Sequence, residues 1–289
     1  MDPGIRYRPM RHEDVEAVHH LAFEAFSDLD RRLGQEYHGP APRLEQSAVR
    51  YGRLLASDPD GCLVAERDGA VVGCSVGILR DGLWGLSMLV VDPSAQGGGV
   101  GRELLRRAHE YGAGARGRMI LSSEDPRALR AYARLGLTLH PCVIANGTVR
   151  RPPRADGLRE GGREDLPLAA EVDRAVRGAA HGEDVMALVA SGGTLLVAPG
   201  RGYVVVREGR LMLLAAFDED AARELLRGAL ARSAADGHDA MVEWISAAQA
   251  WAVDVCLDAG LELLARSGAV FLGGDLGPFR PYLPSGAYL

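Results

Sequence analysis

One order of predicted elements is written twice along this chain, and the repetition narrows the folds open to it more than any single motif does. Arg102-Glu103-Leu104-Leu105-Arg106 returns as Arg223-Glu224-Leu225-Leu226-Arg227, each time after a hydrophobic strand and at the opening of a helix. Farther on, Asp125, Ala128, Tyr132, Gly136 and Leu137 share their spacing with Gln249, Ala252, Cys256, Gly260 and Leu261. Two matches in the same order exceed chance. Between the copies, VRRPPRADGLREGGRED (149–165) breaks the apolar pattern with paired prolines, glycines and charges, which places a linker at about 150–156. Each half of the 289 residues is long enough to bury a core, so the expected domains are 1–150 and 151–289.

The first half reads as a strand near 5–8, helices over 12–26 and 44–57, and three valine-rich strands, CLVAER, AVVGCSVGIL and LWGLSMLVV. Asp68-Gly69 and Asp81-Gly82 join these strands and suit two-residue hairpin turns, which predicts an antiparallel meander. Helix 101–112, strand 117–122, helix 125–135 and a strand near 137–145 follow. The second half repeats the order as LREG, helix 165–177, TLLVAP, GYVVVRE, RLMLLAAF, helix 219–235, MVEWIS, helix 248–259 and one closing strand near 261–272. The expected fold class is α/β in its α+β form: two tandem domains, each a mixed, mostly antiparallel sheet flanked by helices.

Composition then removes whole classes of function. All 33 basic residues are arginine, and no lysine occurs. A Walker-A phosphate loop, a pyridoxal Schiff base and a protein-kinase site each need a lysine, so all three are excluded. The net charge of -6 falls entirely on residues 151–289, the opposite of what a nucleic-acid binder needs. Such an acidic excess serves solubility and is compatible with a cationic substrate. Hydrophobic residues make up 47% of the chain, yet no apolar run approaches the roughly 20 residues of a membrane span. The first residues carry acids and arginines where a secretory signal needs an apolar stretch, so a cytoplasmic location is expected. Cys62, Cys74, Cys142 and Cys256 are far apart and read as buried thiols rather than a zinc site or a disulfide framework.

Chemistry concentrates after the strand that ends at Val91. There Asp92-Pro93-Ser94-Ala95-Gln96-Gly97-Gly98-Gly99-Val100-Gly101 leads into a helix expected to begin at Gly101 or Arg102. Glycines bring backbone close to a ligand, and unpaired N–H groups at a helix start favour an anion. A dinucleotide-binding loop fits poorly, because Leu104 stands where a third glycine belongs and the preceding strands alternate as hairpins. The segment resembles the cofactor motif of the GNAT N-acetyltransferase superfamily, V-x-P-x-x-[Gln/Arg]-x-x-Gly-x-[Gly/Ala], at every defining position from Val91 to Gly101. The resemblance implies that Gln96, Gly97, Gly98, Gly99, Val100, Gly101 and Arg102 form the site for the pyrophosphate of acetyl-CoA, without a metal. It also places Met88, Leu89, Val90 and Val91 along the pantetheine, with a bulge in that strand and a backbone N–H on the thioester oxygen.

A second family signature, N-x-x-A-x-x-x-Y-x-x-x-G-F, is met from Asp125 through Ala128 and Tyr132 to Gly136-Leu137, with Asp125 in place of Asn. The resemblance implies cofactor contacts at Asp125 and Ala128 and makes Tyr132 the acid that protonates the leaving sulfur. Asp125 is expected to cap its helix. No acid or histidine stands on the strand Trp84–Val91, so the general base is unassigned among Glu124, Asp125, Glu24, Asp28, Asp30, Glu36 and His38. His19-His20 lacks the further ligands of a metal site.

In the second half, Asp218-Glu219-Asp220-Ala221-Ala222 replaces the glycine loop, and Cys256 stands at the position of Tyr132. Three acids at a helix start use the field a phosphate would need. The resemblance thus reads as tandem copies, an intact N-terminal one and a degenerate C-terminal one. It implies acetyl transfer from acetyl-CoA to a small-molecule or peptide amine acceptor. A non-catalytic acetyl-CoA sensor or protein-interaction module stands as the alternative, and neither the acceptor nor the oligomeric state can be read.

Overall fold

The computed structural model describes residues 4–34, 43–265 and 268–289. Contacts divide the chain into two compact units, Met1–Leu79 with Trp84–Ala115 and Arg80–Leu83 with Arg116–Leu289.

The first unit runs β1 (Ile5–Pro9), α1 (Val15–Leu33), α2 (Leu44–Ser57), β2 (Cys62–Arg67), β3 (Ala70–Arg80), β4 (Leu83–Val91) and α3 (Val100–Tyr111). Its strands lie in the order β1-β2-β3-β4, with β1 on β2 and β2 on β3 antiparallel. Asp68 and Gly69 (φ 52° and 80°) and Asp81 and Gly82 (45° and 78°) both take the left-handed conformation that two-residue hairpins require. α1 buries Val15, Val18, Leu21, Ala25 and Leu29, a three-to-four spacing that makes one apolar face. It runs past the expected end at residue 26 because its stop signal is Gly34, at φ 66°.

The second unit runs β5 (Gly117–Ser122), α4 (Pro126–Ala133), β6 (Thr138–Gly147), β7 (Arg159–Glu160), α5 (Leu166–Val176), α6 (Glu183–Ala190), β8 (Thr194–Ala198), β9 (Gly202–Arg207), β10 (Arg210–Ala216), α7 (Glu219–Ala235), β11 (Ala240–Ser246), α8 (Ala250–Asp258), β12 (Glu262–Leu264), β13 (Ala269–Gly274) and β14 (Tyr282–Leu283). Its strand order is β5-β13-β6-β11-β10-β9-β8-β7, with β12 on β6 and β14 on β10. Only β10 and β11 are recorded as parallel, so the sheet is mixed and mostly antiparallel, as expected. Its core joins Val204, Leu214, Leu225, Leu226, Trp251 and Cys256, all nearly or fully buried.

Three features depart from the sequence reading. The boundary expected at about 150 is not where contacts divide, because β13 from the far end of the chain sits between β5 and β6. Phe271 pairs with Ile120 on one side and Leu139 on the other. The closing strand expected near 261–272 is two strands with different neighbours: β12 pairs with the end of β6, and β13 with its beginning. Gly268, at φ 69° with no room for a side chain against the Ser122 carbonyl, makes the turn into β13. α6 was not anticipated, because the short apolar run Val185–Val189 between Gly182 and Gly192 carries too little periodicity to declare a helix.

The same ionic clamp occurs near the start of the chain and again just after the proline-rich linker. Arg8 forks onto the carboxylate of Asp14 at 2.7 and 2.8 Å, and that carboxylate also accepts from the Arg11 N–H. Arg159 forks onto Asp165, which accepts from the Gly162 N–H. Each guanidinium holds its carboxyl below the usual carboxylate range. As pH falls from about 5, the unfolded chain therefore takes up protons at these positions before the folded chain does, and the clamps' stabilisation is progressively lost. Asp14→Asn and Asp165→Asn should each lower the melting temperature at neutral pH by roughly 2–8 °C and flatten its decline on acidification. An acid limb as steep as that of the unaltered protein would remove the clamps from acid sensitivity.

Candidate active site

The parity of β4 locates an irregularity in the strand. Trp84 lies edge-on to His109 of α3, with ring centroids 5.7 Å apart. Leu89 and Val91 pack on the same side, against a cluster that includes Val100 and Leu104 of α3. Strict alternation would send residues 84 and 89 to opposite faces. Ser87 faces the other side, where its hydroxyl and carbonyl accept from Arg50 of α2 at 2.6 and 2.9 Å. The extra residue therefore falls between Ser87 and Leu89, at Met88, which is the bulge that the resemblance implied.

Beyond Val91 the chain makes a short 3-10 turn, Pro93–Ala95, capped by Asp92, whose carboxylate accepts from the Ser94 N–H at 2.8 Å. The Gln96 amide donates back to the Val91 carbonyl at 3.0 Å, tying the loop to the end of the strand. Gly97 and Gly99 take φ 83° and 89°, and α3 begins at Val100, one residue ahead of expectation. The first backbone bond into the helix runs from the Glu103 N–H to the Gly99 carbonyl, 3.1 Å. None of the six amides from Gly97 to Arg102 donates to a protein acceptor among the described residues. Exposed glycines and unpaired donors at the positive end of a helix form an anion cradle. Glu103, the acid of the first turn, is held by Arg106 and Arg107, which bring its carboxyl down to about 2.

The start of α7 has the opposite character. Only Phe217 and Asp218 separate it from β10, and Asp218 caps the helix by accepting from the Ala221 N–H at 2.8 Å. Glu219 beside it pairs with Arg280. A carboxylate already fills the place a phosphate would take. The end of β10 is closed as well, since Leu214 and Ala215 pair with Leu283 and Tyr282 of β14.

Of the predicted site residues, Met88, Leu89, Val90, Val91, Gln96 and Gly97 to Arg102 share the first unit, and Asp125, Ala128 and Tyr132 lie on or at α4 in the second. Asp125 caps α4 through the Arg127 N–H at 2.9 Å and forks with the Arg127 guanidinium, so it serves the helix rather than standing ready as a base. Tyr132 is buried edge-on to Phe271, 5.7 Å between centroids. Burial and the charge of Asp125 push its hydroxyl well above the ordinary phenol range, and no protein partner is recorded for it among the described residues. Asp28 is held by Arg31 and Arg32, whereas burial raises the carboxyl of Asp30. Glu36 and His38 lie outside the described residues.

Two groups escaped the sequence reading. Arg50 is one, since nothing in a lone helical arginine announces contact with a strand far along the chain. The other is a buried network in which Asp173 accepts from His181 and Tyr203, while Tyr282 donates to the Leu289 carbonyl oxygen at 2.7 Å. All four side chains are almost wholly inaccessible, so the network anchors β14 and offers no entry to a substrate.

These two features, bulge and cradle, fall within a stretch with known relatives. Residues 16–137 match the acetyltransferase (GNAT) family. An 89-residue stretch is 37% identical to an IAA acetyltransferase of Azospirillum brasilense, covering 30% of this chain and 55% of that protein. The chain thus spans about half the length of that curated relative. A Pyrococcus horikoshii protein provisionally described as an acetyltransferase shares the fold across 100% of this chain and 97% of its own, at a TM-score of 0.80 and 18% identity. A GCN5-related N-acetyltransferase of Sphaerobacter thermophilus does so over 99% of both chains, at 0.61 and 15%. The fold of the whole chain is therefore shared with GNAT-type structures. Among the described residues no side-chain cluster could hold a metal ion, and no helix is long and apolar enough to cross a membrane.

Cys256, which the sequence spacing sets against Tyr132, is buried and its thiol is pushed up to about 12. Burial raises Cys142 to about 11 and Cys74 further still. None of the four thiols is poised for chemistry. A chromogenic disulfide reagent at about pH 7.5 should find no fast-reacting thiol in the folded protein and all four after denaturation. A rapid stoichiometric reaction of Cys256 would reopen a nucleophilic role for it.

Proposed function

We propose that this chain is an acetyl-CoA-dependent N-acetyltransferase that binds one cofactor, on the cradle at the start of α3, and acetylates an amine acceptor of small-molecule or peptide type. The observation that carries the proposal is the run of six unpaired amides from Gly97 to Arg102, following the bulge at Met88, within the family-matched stretch. The residues fit the group, because a pyrophosphate needs donors and a positive field, and the cradle supplies both without a metal. Acetyl-CoA, when bound, supplies the acyl group as a thioester.

The chain's own groups then divide the work. Gly97 to Arg102 hold the pyrophosphate; Met88 to Val91 lie along the pantetheine and seat the acetyl group; a backbone N–H near Leu89 or Val90 steadies the oxyanion. With the thioester bound, a neutral amine would attack its carbonyl carbon and the carbon–sulfur bond would break, the Tyr132 hydroxyl giving its proton to the departing sulfur and regaining one from the proton that the amine sheds. Burial that keeps Tyr132 protonated suits this role. The base that takes the amine proton is unassigned. The tandem reading, an intact first copy and a degenerate second, is supported by the repeated clamp, the acid-capped α7 and the inert Cys256. The acidic excess of residues 151–289 would favour a cationic acceptor only through long-range attraction, which salt screens over roughly 8–10 Å.

The test is release of free CoA thiol from acetyl-CoA in the presence of a panel of amines. Acceptor-dependent release is expected, and cofactor binding without turnover would make the protein a sensor. Tyr132→Phe should slow turnover about 10²–10⁴-fold while leaving acetyl-CoA affinity nearly unchanged. Unaltered turnover, with chemistry shown to limit the rate, would mean that the sulfur takes its proton from water.

A further inference from the structure

Among the described residues, Arg50 presents a cation to β4 with no anion to match it. Its Nη2 donates to both the carbonyl and the hydroxyl of Ser87, the residue directly before Met88, so the guanidinium is fixed against β4. Its Nε–H is buried and has no partner. No carboxylate pairs with it among the described residues. The Tyr51 ring lies 5.4 Å from the guanidinium carbon. Arg8, Arg32, Arg106 and Arg107 of the same unit all have acids.

A half-buried guanidinium left uncompensated is unfavourable, and the deficit is met when an anion arrives. The clamp to Ser87 engages Nη2 and leaves Nη1 to donate to one oxygen of a carboxylate. We propose that Arg50 seats a carboxylate of the acceptor, so that the protein acts on amines that also carry a carboxyl group, as free amino acids do. The proposal rests on the acetyl-transfer reading above and names the substrate class of that site. Arg50 is a specificity residue: it holds the acceptor's anionic end beside Met88 while the amine reaches the acyl carbon. The local charge there is opposite to the acidic excess of the second half, and contact recognition is set by the nearer group.

The experiment compares acceptors that differ by a carboxyl group and little else: phenylalanine with 2-phenylethylamine, tryptophan with tryptamine, and leucine with isopentylamine. The unaltered protein should favour the carboxylated member of a pair by about tenfold to hundredfold in kcat/KM, the range of a charge-assisted hydrogen-bonded pair. Arg50→Gln should erase that preference without changing the KM for acetyl-CoA, and Arg50→Lys should restore part of it. A role limited to clamping α2 would slow both members equally and leave their ratio intact, which would overturn the proposal. Calorimetry with phenylacetate and its neutral isostere phenylacetamide gives a second readout, with and without CoA. Tighter binding of phenylacetate, lost in Arg50→Gln, is expected; equal or undetectable binding of both counts against the proposal. Failure of acetyl-CoA to bind would instead strike the acetyl-transfer reading, and the phenylacetate comparison without CoA would still report on Arg50.

Discussion

Backbone amides that find no partner inside the protein must find one outside it, and the start of α3 gathers six in succession that have no acceptor among the described residues. Two left-handed glycines and a fixed Gln96 shape the turn there. α7 also follows a strand and carries the same helical dipole, yet Asp218 caps its first turn from within. One fold therefore carries two helix starts with opposite chemistry, and the difference is the choice between glycines that leave donors free and acids that consume them.

The sheet joins segments that are far apart in the chain. β13, from near the far end of the chain, lies between β5 and β6 from the first half, and β6 goes on to pair with β11 of the second. The halves defined by the linker are thus not the units defined by contacts. In the second unit β14 completes the end of β10, and Asp173, His181, Tyr203 and Tyr282 secure it from beneath. A strand and a buried network occupy the end of β10, beside a helix start whose first turn is capped by Asp218.

Much of this was legible in the residues. Valine-rich strands joined by Asp-Gly turns and glycines between strand and helix are local signals that the structure places within a residue or two of expectation, whereas α1, legible from its three-to-four apolar spacing, runs seven residues past its expected end. What escaped the sequence reading was non-local. A strand break at Gly268 depends on a carbonyl of β5, and the order β5-β13-β6 is set by pairing that no periodicity encodes. Arg50 and Ser87 meet only because α2 lies against β4. The matched clamps, Arg8 with Asp14 and Arg159 with Asp165, were within reach: both show arginine followed six residues later by the aspartate of a Glu-Asp pair, a third repeat beside the two that were recognised.

The central claim, that the cradle at α3 alone takes the cofactor, is tested most directly by calorimetric titration of the intact chain with acetyl-CoA. The account predicts one molecule bound per chain, and loss of that site when Gly99→Glu and Gly101→Glu place carboxylates where the pyrophosphate must lie. Two equivalent sites, or one that survives both substitutions, would contradict it.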